Sequence, residues 1–293
     1  MPSPIADLLG AIASSPFRVA PEAAPALNEV IDERALTLEV CDDLSLFAEL
    51  IPSRGLIRLG IPFLEVLWSA AHAYIVTFHE YQLANRRGES HFAVGGTSRT
   101  AAAYALYRQL LGAHVIGDPI TWPSEEIVPV RFPKEGTDIY AANELFLVAI
   151  SWIIHHEIAH ARLDHQEVTV TSISQENEAD HAATQWVCAG IEETQPLHKR
   201  SMGIVTAVVL LLAYDIESRR THSTTHPPSF ERLILNLDAT GLGPDEMIYV
   251  FALVLVEIHL AQGKVPYMNS QDGSFRDMCV SACLALRDSA NGG

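Results

Sequence analysis

The chain is 293 residues long, 48% hydrophobic and 19% charged, which is enough apolar material to bury a full core and excludes disorder as its general state. Lys and Arg number 19 against 36 Asp and Glu. A net charge of −17 without a basic patch repels a phosphate backbone, so no nucleic-acid partner is expected. The four cysteines, Cys41, Cys188, Cys279 and Cys283, make no CxxC pair and no disulfide framework. Cys279 and Cys283 read as small buried residues on one helix face. The N-terminus has no basic stretch leading into an apolar one, so a reducing, cytoplasmic setting is expected. The longest uncharged stretches, Val66 to His79 and Ser201 to Tyr214, are 14 residues each. Both are shorter than the roughly 20 residues a membrane span needs, and read as buried helices rather than spans.

The first 30 residues, rich in Ala and Pro, are expected to be loosely ordered or to hold one short helix. Ala35 to Val40 alternates as a strand does, and Leu56 to Leu59 is a second short strand, so that the segment 1–60 is partly extended. Pro62 opens a long helical pattern through Leu64, Leu67, Trp68, Ala71, Tyr74, Ile75 and Phe78, ending near Gly88. Gly95-Gly96 marks a turn, and Thr100 to Leu111 reads as a helix. Glu126 to Phe132 carries Ile127, Val128 and Val130 around Pro129 and is expected to be an edge strand.

Asp138 is the expected cap of the strongest helix, which carries Leu145, Phe146, Val148, Ala149, Trp152, Ile153 and Ile154 and runs to about Asp164. A loop through Thr169 leads to Ser174, expected to cap a helix reaching about Ala189. Ser201 to Ser218 is a further buried helix. A helix opening at Pro244 and another from Ser274 to Arg287 complete the chain. Helix dominates, with a small β component: a mainly α, α+β class. No internal repeat and no long linker divides it.

The chemistry concentrates in His155-His156-Glu157-Ile158-Ala159-His160. In a helix, positions four apart share a face, so the imidazoles of His156 and His160 converge, and Glu157 can reach a water held by an ion between them. The pattern also arises by chance. Its place on a buried helix weighs against chance, because three ionisable groups are costly to bury without a metal or partners. A catalytic zinc needs a third protein ligand and an open position. Position 166 is Gln166 and position 163 is Leu163, which eliminates a third histidine six residues after His160 with its glycine. His165 stands about 140° around an uninterrupted helix from His160 and is disfavoured as a ligand. His155 points away and reads as a solvated or supporting group.

Glu176-Asn177-Glu178-Ala179-Asp180 follows at the start of the next helix. A helix–loop–helix hairpin brings Glu176 beside the two histidines as third ligand, with Glu178, about 200° around the helix, as its rival. Asp180, one turn beyond Glu176, can accept a hydrogen bond from a ligand histidine and fix its tautomer. Thr225-His226-Pro227-Pro228 then presents an imidazole from a rigid turn, suited to donate to an oxyanion. Arg232, on the short helix that follows, can pair with Asp180 or Glu176.

His156-Glu157-x-x-His160, Glu176-x-x-Ala179-Asp180 and Thr225-His226-Pro227-Pro228 with Arg232 resemble the gluzincin metallopeptidases, in the order found in the Ste24/HtpX-type families. Those families have membrane helices and a longer gap to the third ligand. The chain is more similar to the soluble phage-exclusion Lit-type peptidases, through its length and the helix with Ala142-x-x-Leu145-Phe146 and Trp152 ahead of His155-His156-Glu157. The resemblance implies a zincin-like fold in one metallopeptidase domain spanning 1–293, with a catalytic core at about 138–235 and C-terminal helices over 244–287. It implies one zinc per chain on His156, His160 and Glu176, Glu157 as general base, and His226 facing the oxyanion. Asp180 and Arg232 support the ligands. It further implies a protein substrate, such as a host translation elongation factor. A cytoplasmic protease that was always active would harm its cell, so low basal activity and an activating factor of phage or host origin are expected.

Two alternatives remain at this point. One is a regulatory protease resembling the ImmA/IrrE type, which cuts a repressor. The other is a non-catalytic metal-binding module, against which the intact Glu157 argues.

Overall fold

The computed structural model describes residues 3–89, 92, 94, 98–122, 126–165, 173–191, 193–218, 227–265 and 273–291. Ten α-helices and one three-stranded sheet are found among them. The first 30 residues are more ordered than their composition suggests. They form α1 (Leu9–Val19) and α2 (Ala24–Arg34), because Ile5, Leu8, Ile12 and Leu27 all reach the core. The sheet follows, with β1 (Thr37–Cys41), β2 (Ala48–Ile51) and β3 (Leu56–Gly60). Strand order is β1-β3-β2, with β1 parallel and β2 antiparallel to β3, so β2 is an edge strand among the described residues. The chain leaves β3 at Gly60, where a Cβ would lie 2.1 Å from the Leu46 carbonyl oxygen, so only glycine allows this approach.

Helix α3 (Ile61–Arg86) then passes through the centre of the molecule and buries Val66 to Phe78 without interruption. That all-round burial matches its lack of a polar face. By length and composition α3 and α5 could each cross a membrane, yet 94% and 67% of their most apolar windows are buried inside the fold. Helix α4 (Arg99–Ile116) is capped by the Ser98 hydroxyl, which accepts from the Ala101 N–H at 3.1 Å. Gly95 and Gly96 lie outside the described residues.

The expected edge strand at 126–132 is not a strand. Pro129 cannot donate to a ladder, and side chains take up the carbonyls instead: Trp122 Nε1 donates to Ile127 O at 2.8 Å and Asn143 Nδ2 to Val130 O at 2.7 Å.

Helix α5 (Asp138–Arg162) is capped one residue earlier than expected, by the Thr137 hydroxyl accepting from the Tyr140 N–H at 3.3 Å. It packs against α1, α3, α6 and α7 and touches β2, so most layers of the molecule meet on it. Helix α6 (Ile173–Cys188) lies against it. Ser174 is already inside α6, where its hydroxyl donates to Glu178 at 3.0 Å rather than capping the helix. Helix α7 (Thr194–Glu217) crosses α5 closely enough that a Cβ on Gly203 would meet Val148 Cγ1 at 2.3 Å.

Helix α8 (Ser229–Ala239) follows Pro227-Pro228. Helix α9 (Met247–Gln262) starts three residues beyond Pro244, and α10 (Phe275–Asn291) packs on it. One apolar core draws on α1, α3, α4, α5, α7 and α9, and Cys279 and Cys283 are buried in it.

Candidate metal centre

Three alanines determine where the site forms. Ala159 of α5 and Ala179 and Ala182 of α6 make a small buried cluster of their own. Side chains this small let two helices approach closely. The hairpin so made places the first turns of α6 beside the last turns of α5. His156 Nε2 and His160 Nε2 stand 3.0 Å apart. Glu176 Oε2 is 3.5 Å from His156 Nε2, and its Oε1 is 3.6 Å from His160 Nε2. One ligand atom from each of the three lies within 4.8 Å of the others.

With metal–ligand bonds of 2.0–2.1 Å, the edge of a zinc tetrahedron measures about 3.3 Å. The separations found here straddle that length, and two imidazoles with one carboxylate are a donor set that zinc accepts. Structure and donor chemistry therefore fit a metal ion.

Behind the triad, His156 Nδ1 lies 2.8 Å from Asp180 Oδ1. Arg232 grips Asp180 with both arms, Nε to Oδ2 at 2.7 Å and Nη2 to Oδ1 at 2.6 Å. Of the two partners expected for Arg232, it pairs with Asp180. Asn236 Nδ2 donates to Asp180 Oδ2 at 3.3 Å, Thr184 Oγ1 donates to Asn236 Oδ1 at 2.6 Å, and Trp152 Nε1 donates to Thr184 Oγ1 at 2.9 Å.

Asn236 and Thr184 were not singled out in the sequence, and Trp152 was read only as part of the helix ahead of the histidines, although the signal was available. Each lies four residues from a candidate site residue: Trp152 from His156, Thr184 from Asp180, Asn236 from Arg232. Three helices thus point polar stripes of period four at one spot.

Burial works against a charge on His156, but the Asp180 and Glu176 carboxylates outweigh it and raise its pKa to about 10. Burial, helped by the charge on His156, lowers His160 to about 4. Asp180 is held well below the usual carboxylate range, against its burial, by Arg232 and His156. Glu157 is buried and its carboxyl is pushed up to about 7, with Glu176 adding to the effect and His156 opposing it. The backbone N–H of Leu50 in β2 faces the Glu157 carboxyl and pulls its pKa back down. Nothing in the sequence reasoning had placed β2 there.

Glu178 is not part of the triad. It faces His165, whose Nε2 is 3.4 Å from Glu178 Oε2. His165 Nδ1 lies 2.9 Å from His160 Nδ1, so the residue disfavoured as a ligand touches one of the expected ligands directly. His155 is not solvated. It is buried against the Trp186 ring at 5.3 Å, and burial lowers its pKa to about 4. His226 lies outside the described residues, while Pro227 next to it lines a cavity of about 390 Å³ together with Phe47, His114, Tyr214 and Arg232.

A buried histidine–histidine–carboxylate cluster, with a further carboxyl at its side and a hydrogen-bonded frame behind it, is suited to hydrolysis. Comparison with known proteins makes the chain a peptidase. Residues 57–252, which contain every described member of the cluster, match the Peptidase U49 family, and the chain belongs to that family. It is 31% identical over 281 residues to the Cell death peptidase of Escherichia coli strain K12, covering 94% of both chains. No solved structure matches it.

Proposed function

We propose that the chain is a zinc-dependent endopeptidase that acts in the cytoplasm on a specific protein. The observation that carries the reading is the spacing of His156, His160 and Glu176, with the Glu157 carboxyl close enough to feel the charges of His156 and Glu176. Those three residues would hold the metal. A zinc ion there supplies a Lewis acid that acidifies water and polarises the scissile carbonyl.

Glu157 receives the proton of the attacking water and delivers it to the leaving amine. His226, just ahead of Pro227, donates to the developing oxyanion. Arg232 and Asp180 keep the His156 ring in place.

The substrate lies extended along β2 rather than along 127–132, as peptides add to exposed sheet edges. Cavities lie at both ends of this strand. One, of about 320 Å³, is lined by Leu36, Leu50, Pro52, His160 and Asp164, and the other by Phe47, His114 and Tyr214.

The likeness to the Lit-type peptidases supports a host protein, such as a translation elongation factor, as substrate. Unchecked proteolysis would harm the cell, which calls for an activating phage or host factor. Elemental mass spectrometry of the wild type beside Glu176→Ala tests the metal. One zinc per wild-type chain, lost or weakened in the variant, is expected. A metal-free wild type after purification in zinc would overturn the reading.

A further inference from the structure

We propose that His165 is a positioning residue for His160, and that Glu178 in turn sets the tautomer of His165. The proposal rests on the metal-centre reading above. His160 turns Nε2 toward His156 and Glu176, and turns Nδ1 toward His165 Nδ1 at 2.9 Å. Two imidazole nitrogens at that distance share one hydrogen. To offer a lone pair at Nε2, a neutral His160 must carry its hydrogen on Nδ1. His165 Nδ1 must then be the acceptor, and the hydrogen of His165 must sit on Nε2. That nitrogen faces Glu178 Oε2 at 3.4 Å, and the other Glu178 oxygen is held by the Ser174 hydroxyl at 3.0 Å. A carboxylate, through one imidazole, thereby fixes the tautomer and ring plane of the next.

The contact is made by the way α5 ends. Asp164 adopts a left-handed backbone, φ +54°, and the His165 N–H bonds back to the His160 carbonyl at 3.0 Å. Asp164 N–H reaches Ala161 O at 3.4 Å, which completes a Schellman closure with aspartate where glycine is usual. Asp164 is also ion-paired with Arg34 of α2. The reversal folds a nearly buried His165 side chain back over the preceding turn. His156 is backed by a buried carboxylate, and His160 by an imidazole and a half-exposed one, so the two histidines are held in different ways.

The test is zinc affinity, read by competition between zinc and a chelator, in the wild type, His165→Leu and His165→Asn. Leucine fills the space without an acceptor. The asparagine carbonyl stands near the position of Nδ1 and can accept. His165→Leu is expected to weaken zinc binding by about 10- to 100-fold, the usual loss when a ligand's hydrogen-bond partner is removed, and His165→Asn to recover most of it. Equal affinity in all three proteins would overturn the proposal while leaving the metal centre intact. Absence of zinc from the wild type would overturn both. Long-range ¹H–¹⁵N spectra of the wild type give a second readout that needs no variant. A hydrogen on His165 Nε2 and a bare Nδ1 are expected, and a hydrogen on His165 Nδ1 overturns the proposal.

Discussion

Arg232 and Asp180 form a two-pronged ion pair across the α6–α8 contact, with guanidinium and carboxylate both buried and 52 residues apart in sequence. A buried pair of this kind adds little net stability, because desolvation offsets the attraction, but removing one member leaves an uncompensated charge. Arg232→Met should therefore cost about 3–5 kcal/mol in urea unfolding. The double variant Arg232→Met with Asp180→Leu should regain most of that stability. It should not regain zinc affinity, because His156 Nδ1 then lacks its carboxylate. A double variant that binds zinc as tightly as the wild type would show that Asp180 has no part in holding His156.

Glu157→Gln separates binding from chemistry. The residue is outside the triad of closely spaced ligand atoms, so zinc content should be unchanged. Amide cannot take a proton from water, so cleavage should fall by about 10²- to 10⁴-fold. Zinc content and cleavage of the cellular proteome, measured on the same preparation, check this. Cleavage at the wild-type rate would remove Glu157 from the mechanism.

Gly203→Ala tests the crossing of α5 and α7. In an exposed helix the change would stabilise by about 1 kcal/mol. Here the new methyl would sit 2.3 Å from Val148 Cγ1 and 3.1 Å from the Ala149 backbone nitrogen. Overpacking in a closed core costs about 1–3 kcal/mol and should decide the sign. A lowered urea midpoint with an unchanged slope is the expected result.

Acid should weaken the fold. Burial lowers His72 and His259 to about 4, so on unfolding each takes up a proton between about pH 4 and 6.5, and native stability falls as pH drops through that window. Glu65 acts in the opposite sense. Burial raises it to about 7, so it binds its proton in the folded state first and gains stability on acidification. The two histidines outweigh this one carboxyl, so together these three groups lower stability as pH falls from 6 to 5. Glu65→Gln removes an opposing group and should steepen the loss of stability between pH 6 and 5. Urea unfolding at pH 6.0 and 5.0 for both proteins measures it, and equal slopes would exclude Glu65 as the opposing group.

What could be read from the chain alone is what depends on neighbours within one helix. His156 and His160 share a face because a helix repeats every 3.6 residues, and no distant contact is needed to know it. The same holds for Asp180 one turn beyond Glu176, and for the uncharged run from Val66 to His79 in α3. The choice between Glu176 and Glu178 was not of that kind. Both sit on the first turns of α6, and which one turns inward depends on how α6 seats on α5, through Ala159, Ala179 and Ala182.

His165 stays outside the ligand triad, but its contact with His160 went unseen because the angular argument assumed a helix that continues, whereas the backbone reverses at Asp164. The strand β2 went unseen because Ala48 to Ile51 is half-buried throughout and has no alternation, and its hydrogen bonds belong to β3. The segment 126–132 has the stronger strand composition but pairs with no strand among the described residues, and its Ile127 and Val130 carbonyls are taken up by Trp122 and Asn143. Strand formation is a property of a pair, and pairs are made by tertiary structure.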